Sequence, residues 1–135
     1  PEATISRSFE IKDIKTGAVR IAQAAEVPLI PMIVWGSHRI ITKDHPRDFS
    51  RGKSIHISVG APMPVHEGDA VPQTAALRAR MQELLAQTID GYPADEQPPG
   101  SWWLPASRGG SAPTPERAAE LDREELARRA AKRRK

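Results

Sequence analysis

A continuous apolar run, Val27 to Val34, lies between Glu26 and Gly36 and restricts how this chain can fold. Because polar residues do not alternate with the apolar ones, the run predicts a strand buried on both faces, as in a sheet covered by helices. The run is far shorter than the roughly 18 to 20 residues that a membrane-spanning helix needs, and two prolines interrupt it. It therefore predicts a core strand of a layered domain.

Three further segments have periodic patterns. Residues 54–59 alternate with period two, which predicts a half-buried or edge strand. Residues 16–25 and 75–90 have apolar side chains at helical spacing, and the second is the clearer amphipathic helix. The order of these elements predicts an α/β fold, namely part of a layered sheet with flanking helices, followed by a basic tail rich in proline and glycine.

The composition divides the chain into three regions. Residues 1–90 have the pattern of a folded domain, and residues 91–115 hold six of the 13 prolines and four of the nine glycines. That composition predicts an extended linker. Residues 116–135 predict a basic, solvated helical tail, with Thr114 as its N-cap and Pro115 at its first position.

Charge and residue usage exclude several classes of site. The net charge is −1 over residues 1–100 and +4 over residues 101–135, so the basic character belongs to the tail, which suits anionic partners. Cysteine is absent, and the four histidines lie in no metal-ligand spacing, so we expect no metal site. No aromatic residues are interleaved with the tail's cations, so we expect no specific nucleic-acid binding.

Three blocks, in order, carry a resemblance to a known family: residues 1–8 (PEATISRS), residues 15–18 (KTGA) at a helix start, and residues 27–32 (VPLIPM). This order resembles the glycerolipid acyltransferase family, whose best-known members are 1-acylglycerol-3-phosphate acyltransferases. The resemblance covers about residues 1–65. It implies a glycerolipid acyltransferase-like layered sheet, with residues 1–90 as the C-terminal part of the acyltransferase domain.

The resemblance also implies a reaction in phospholipid biosynthesis. An acyl group would move from acyl-CoA or an acyl-carrier thioester to lysophosphatidate, forming phosphatidate. The thioester is then a co-substrate, and no cofactor is expected.

A phosphate-bearing acceptor requires fixed cations, and the guanidinium of arginine matches phosphate oxygens. By resemblance, Glu2, Thr4 and Arg7 belong to the acyl-acceptor site, and Lys15, just before a helix start, is a further substrate-binding candidate. The block differs from the family pattern at Ala3, where the family has glycine, and at Ile5, the family's usual arginine position. Candidates for the cleft wall are Pro28, Pro31 and His38.

The family's catalytic His-x-x-x-x-Asp block does not occur in residues 1–135. None of the histidines has an aspartate five residues later: His38, His45, His56 and His66. A hydroxyl acceptor needs a general base at neutral pH. We therefore expect the base upstream of Pro1, this chain as a C-terminal portion of the enzyme, and no activity from the chain alone.

The tail allows two interpretations of its aromatic pair. Trp102 and Trp103, with the basic run 128–135, could attach the protein to an anionic membrane, which predicts a cytoplasmic protein, peripheral at the inner face of the membrane. The tryptophans could instead pack back on the domain, over the Leu77–Leu85 helix. A different functional class is also open, namely a non-catalytic basic module that binds anionic lipid or another polyanion.

Overall fold

The computed structural model describes residues 6–133 of the chain, with side chains through Lys132. The described part is a small α/β structure of three helices and a two-stranded antiparallel sheet, which confirms the predicted class. Its elements are α1 (Gly17–Ala25), β1 (Met32–Trp35), β2 (His56–Val59), α2 (Ala70–Asp90) and α3 (Pro115–Arg133). They form two compact units: a sheet unit, residues 11–98, and a tail unit, residues 6–10 with 99–133.

The sheet of the sheet unit is shorter than the apolar run. β1 pairs with β2 in a register that places Met32 opposite Val59 and Trp35 opposite His56. Before β1, Leu29 forms an isolated bridge with Met63, and the carbonyl of Pro31 accepts from the amide of Gly60 at 2.8 Å. Proline has no amide hydrogen, so the ladder is interrupted between the bridge and β1.

Only one face of this sheet is covered in the described structure. α2 packs on both strands, and β1 buries Ile33 and Trp35 while Met32 and Val34 stay exposed. The prediction that the run is buried on both faces is therefore wrong for β1. Ile57 and Val59 of β2 share one face as predicted. That face is exposed, and β2 is an edge strand of the described two-stranded sheet, which agrees with the second predicted alternative.

The helices of the sheet unit agree well with the sequence pattern. α1 begins within one residue of the predicted start and buries Val19 and Ala22. α2 begins at Ala70, five residues before its predicted start, because the Asp69 carboxylate accepts from the amide of Val71 at 2.9 Å and caps the helix. The prediction of an amphipathic helix is confirmed, with Leu77, Leu85 and Thr88 among its buried residues.

In the tail unit, residues 99–112 form a closed loop instead of an extended connection. The amide of Gly100 donates to the carbonyl of Gly109 at 2.8 Å, and the amide of Ser111 donates to the carbonyl of Ser101 at 3.0 Å. Pro105 is fully buried. A Cβ at Gly110 would lie 1.9 Å from the carbonyl oxygen of Leu104, so the loop can close only around a glycine.

The start of α3 confirms the predicted cap. The Thr114 hydroxyl accepts from the amide of Arg117 at 3.3 Å, and Pro115 opens the helix. The sequence predicts a solvated helix. In the structure one face is partly covered, since Ala118 is buried and Asp122 and Glu125 are half-buried.

Candidate functional site

The side chain of Arg7 is buried and lies between two carboxylates of α3. Its Nη1 donates to Asp122 Oδ1 at 3.1 Å, and its Nη2 donates to Glu125 Oε2 at 2.8 Å. The Arg7 side chain is 6% exposed, and those of the two acids are 17% and 19% exposed. Guanidinium groups bind carboxylates and phosphates by donating from separate nitrogens in this way. Arg7 therefore has an anion-binding arrangement, and the bound anions are the protein's own carboxylates.

A tight turn over residues 6–10 places Arg7 against α3. The Ser6 hydroxyl donates to the carbonyl of Glu10 at 2.9 Å and lies 3.1 Å from the Ser8 hydroxyl. Phe9 has a φ of 57°, which is unusual for a residue other than glycine. Its ring packs edge-on against Trp102 of the same unit, with ring centroids 6.2 Å apart. Side-chain hydrogen bonds and this aromatic contact thus hold the turn in its unusual conformation.

On α3, the acids that hold Arg7 lie on the inner side of a strongly charged helix. Glu125 also pairs through its other oxygen with Arg129, one turn further on in the helix. Arg117 pairs separately with Glu120 at 2.8 Å and Glu124 at 3.7 Å, on exposed surface. α3 therefore carries two kinds of ion pair, one buried at Arg7 and one solvated.

Four predicted site residues lie in the sheet unit and have different surroundings. Lys15 is exposed and precedes Thr16, whose carbonyl accepts from the amide of Arg20 in the first turn of α1. Pro28 is exposed, whereas Pro31 is buried against Gly60, where an added Cβ would lie 2.8 Å from the proline ring. His38 is half-buried, and its ring lies 4.4 Å from that of Trp35.

Next to His38, a polar network fixes the segment that follows β1. Arg39 Nη1 donates to the Tyr92 hydroxyl at 2.8 Å and to Glu96 Oε2 at 2.5 Å. Glu96 also accepts from the amide of Ser54 at 3.1 Å and from its hydroxyl. The Tyr92 hydroxyl donates to the carbonyl of Ser54 at 2.6 Å. The network joins three segments of the sheet unit that are distant in sequence.

Hydrogen bonding in this network shifts the acidity of its members. The pKa of Glu96 is lowered to about 2 by the hydrogen bonds that its carboxylate accepts. The largest effect comes from the Ser54 hydroxyl, followed by the Ser54 amide and then by Arg39. Burial raises the pKa of the Tyr92 hydroxyl above its ordinary value. Burial alone would lower the pKa of Arg39, but the hydrogen bonds to Glu96 and Tyr92 outweigh it and raise that pKa. The network therefore holds a carboxylate and a guanidinium in their charged forms at neutral pH.

The aromatic pair of the tail is largely enclosed within its own unit. Trp103 is 6% exposed, Leu104 is buried, and Trp102 is half-buried beside Phe9. In contrast, the cations Arg123, Arg128, Arg129 and Lys132 of α3 are exposed. These exposed cations of the described tail thus lie along α3.

Two predicted substrate-binding residues, Glu2 and Thr4, lie outside the described residues. Within residues 6–133, no group of three histidine, aspartate or glutamate side chains has the geometry of a metal site. No helix in the same range has the length and apolar character needed to cross a membrane. An open pocket of about 220 Å³ beside α2 is lined by Gly60, Arg80 and Leu84 among others, and by none of the predicted site residues.

Sequence reasoning missed the partners of the two arginines. Nothing local to Arg7 indicates Asp122 and Glu125, which lie 115 and 118 residues away. Glu96 and Tyr92 likewise lie in a segment predicted as a linker. An i, i+4 spacing such as Glu125–Arg129 favours an ion pair within one helix, but it does not show which distant residue that helix faces.

The fold and the site define a small α/β chain with a buried anion-binding arginine near its start. Residues 1–35 match the family model described as Acyltransferase. The matched range contains Arg7, Lys15, α1 and β1, and it supports the acyltransferase family and a general acyltransferase function. No significant match was found among curated proteins or among solved structures.

Proposed function

We propose that this chain belongs to an acyltransferase of the 1-acylglycerol-3-phosphate type. The reaction transfers an acyl group from acyl-CoA or an acyl-carrier thioester to the free hydroxyl of lysophosphatidate, and the product is phosphatidate. One observation carries the proposal: the Acyltransferase family match covers the block in which Glu2, Thr4, Arg7 and Lys15 were predicted to bind the acceptor. The same match does not favour a non-catalytic basic module.

In this proposal, Arg7 binds the phosphate of the acceptor. Its support is chemical, since Arg7 already donates from both terminal nitrogens to oxygen anions, and phosphate oxygens accept from the same fork. Lys15 is proposed as a separate cation, exposed beside the first amides of α1, where a helix start favours anions. Pro28, Pro31 and His38 remain proposed cleft residues, and Glu2 and Thr4 remain proposed acceptor contacts.

Binding of lysophosphatidate in mixed detergent micelles tests the acceptor site. We expect one stereoisomer to bind more tightly, and Arg7→Ala to weaken that binding about ten-fold or more, because each charge-assisted hydrogen bond contributes roughly 1.5–3 kcal/mol. Arg123→Ala is the matched control, since it removes one exposed cation of α3. An equal loss of affinity in both variants, or equal binding of the two stereoisomers, would mean that charge attraction alone explains the binding. Either result would contradict the proposal.

The general base is proposed to come from outside residues 1–135, because none of the four histidines has the family's aspartate spacing. We therefore expect the purified chain to bind lysophosphatidate without turning over a thioester donor. Release of free thiol from acyl-CoA in the presence of lysophosphatidate measures this directly. Turnover by the chain itself would show that a residue within 1–135 supplies the base.

The proposed setting is the cytoplasmic face of an anionic membrane, where a lysolipid acceptor would be present. Six cations and no acids occur in residues 128–135, and each cation near an anionic surface adds about 1 kcal/mol. Because Trp103 is enclosed in the tail unit, the proposal assigns most of the attachment to these cations rather than to the tryptophans.

A further inference from the structure

Asp122 and Glu125 present to Arg7 the same chemistry that a phosphate would present. Both are oxygen anions, they lie three residues apart on one face of α3, and each accepts from a different terminal nitrogen of the guanidinium. The two acids together carry two negative charges, close to the −1.5 to −2 of a phosphomonoester near neutral pH. The arrangement at Arg7 therefore mimics a bound phosphate group.

We propose that α3 is an autoinhibitory segment that occupies the Arg7 anion site and that a phosphomonoester must displace it. The inference rests on the proposed function, since it takes Arg7 as the residue that binds the acceptor's phosphate. It adds to that function a regulation of the same residue by the tail of the same chain.

Displacement follows from the geometry at Arg7. The side chain is 6% exposed, and both of its terminal nitrogens already donate to the acids of α3. A phosphate placed beside two carboxylates would also be repelled by their charge. Phosphate and the pair Asp122–Glu125 therefore bind Arg7 in alternative states.

α3 is suited to leave because little else of it is buried. Among α3 residues whose side chains are described, Ala118 alone is buried, Leu121 is half-buried, and Leu126 is 65% exposed. One buried alanine and one half-buried leucine contribute limited apolar area, so the Arg7 ion pairs are a large part of what holds the helix. Segments with few buried apolar contacts open at low free-energy cost. Loss of the two ion pairs to a competing anion would therefore release the helix.

A soluble phosphomonoester, glycerol 3-phosphate, tests the inference by calorimetric titration of the full chain at fixed ionic strength. We expect Asp122→Asn with Glu125→Gln to tighten its binding about ten-fold, within the range typical of coupling between sites. Glu120→Gln with Glu124→Gln is the matched control, because it removes two charges from the exposed face of the same helix. We expect that control to change the affinity less than about two-fold.

Hydrogen exchange on the unmodified chain gives a readout that requires no variant to fold. Added glycerol 3-phosphate should accelerate exchange of the α3 amides and leave those of α2 unchanged. Unchanged exchange in α3 at saturating phosphomonoester would overturn the inference.

The variants separate the two levels of the proposal. Binding that is equal in the unmodified chain and in the Asp122→Asn, Glu125→Gln variant, but is lost in Arg7→Ala, would overturn autoinhibition and leave Arg7 as the phosphate-binding residue. Binding that is absent throughout, or insensitive to Arg7→Ala, would overturn the proposed role of Arg7 and the inference with it.

Discussion

At Arg7, removing the cation leaves two partly buried carboxylates without their shared partner. We expect Arg7→Ala to lower the free energy of unfolding by about 3 kcal/mol, because removing one side of a buried ion pair is costly, although Glu125 keeps its pair with Arg129. Urea denaturation followed by circular dichroism measures the change. Arg117→Ala is the control, since its pairs with Glu120 and Glu124 are exposed and should contribute less than about 1 kcal/mol. A loss at Arg7 no larger than the control's would contradict the buried pairing.

The lowered pKa of Glu96 predicts a pH dependence of stability. Its folded value of about 2 lies below the ordinary 4.5, so its ionised form stabilises the fold above pH 4.5, and that contribution is lost as the pH falls toward 2. Urea midpoints measured between pH 7 and pH 2.5 should fall across this window. In Glu96→Gln the fall should be smaller, because the titrating group is gone. An identical fall in both proteins would show that other carboxylates are responsible.

At the scale of single residues, the sequence shows what kind of group a side chain can bind more reliably than which residue it contacts in the fold. Arg7 could be predicted to bind an oxygen anion, because that capacity belongs to the guanidinium group itself. Which anion it meets depends on a helix 115 residues later, and no local pattern encodes that approach. The exposed Lys15 has no such long-range constraint, and its predicted place before a helix start agrees with the structure.

Among the connecting segments, the turn after β1 requires a glycine for two separate reasons. Gly36 has a φ of +95°, and a Cβ there would lie 2.2 Å from the Ser54 carbonyl oxygen and 2.9 Å from the Tyr92 hydroxyl. We expect Gly36→Ala to destabilise the fold by more than about 2 kcal/mol through backbone strain and the clash together.

Gly52→Ala provides the control for this substitution. Gly52 has a similar φ of +87°, but no atom lies within 4 Å of an added Cβ, so strain alone should cost about 1 kcal/mol. Thermal unfolding of the two variants compares them directly. Equal losses of stability in the two variants would show that the clash of an added Cβ at Gly36 with Ser54 and Tyr92 contributes nothing.

Element type was easier to predict than burial. α1, α2 and the capped start of α3 follow from helical spacing and N-cap residues, which act within a few positions. The apolar run predicted a strand with two covered faces, yet β1 buries Ile33 and Trp35 and exposes Met32 and Val34. Coverage depends on which elements pack on the sheet, and in the described residues α2 packs on both strands.

Across the whole molecule, the uneven charge predicts salt-sensitive attachment to anionic vesicles. Arg128→Gln with Lys132→Gln removes two exposed cations from the end of α3, and should reduce co-sedimentation about ten-fold or more. Arg20→Gln with Arg51→Gln, which removes two exposed cations of the sheet unit, should reduce it less than about three-fold. Added salt should weaken attachment of the unmodified chain. Equal effects of the two pairs would contradict a role for the tail.

The amino-acid composition predicted the domain organisation only in part. Proline and glycine in residues 91–115 predicted an extended linker, but the loop over 99–112 closes on itself and buries Trp103, Leu104 and Pro105. Such residues permit tight turns as readily as extended chain, and backbone hydrogen bonds decide between the two. The inclusion of residues 6–10 in the tail unit could not be foreseen, because it depends on contacts across most of the chain.

The tail unit is assembled from segments that are far apart in the order of synthesis. Residues 6–10 are translated before α3, and a contact between positions 115 residues apart closes slowly, because loop entropy must be overcome first. A nascent chain therefore carries Arg7 without its carboxylates until translation has passed Glu125. Every truncated product that stops before α3 lacks both of these carboxylates, which distinguishes it from a chain that contains α3.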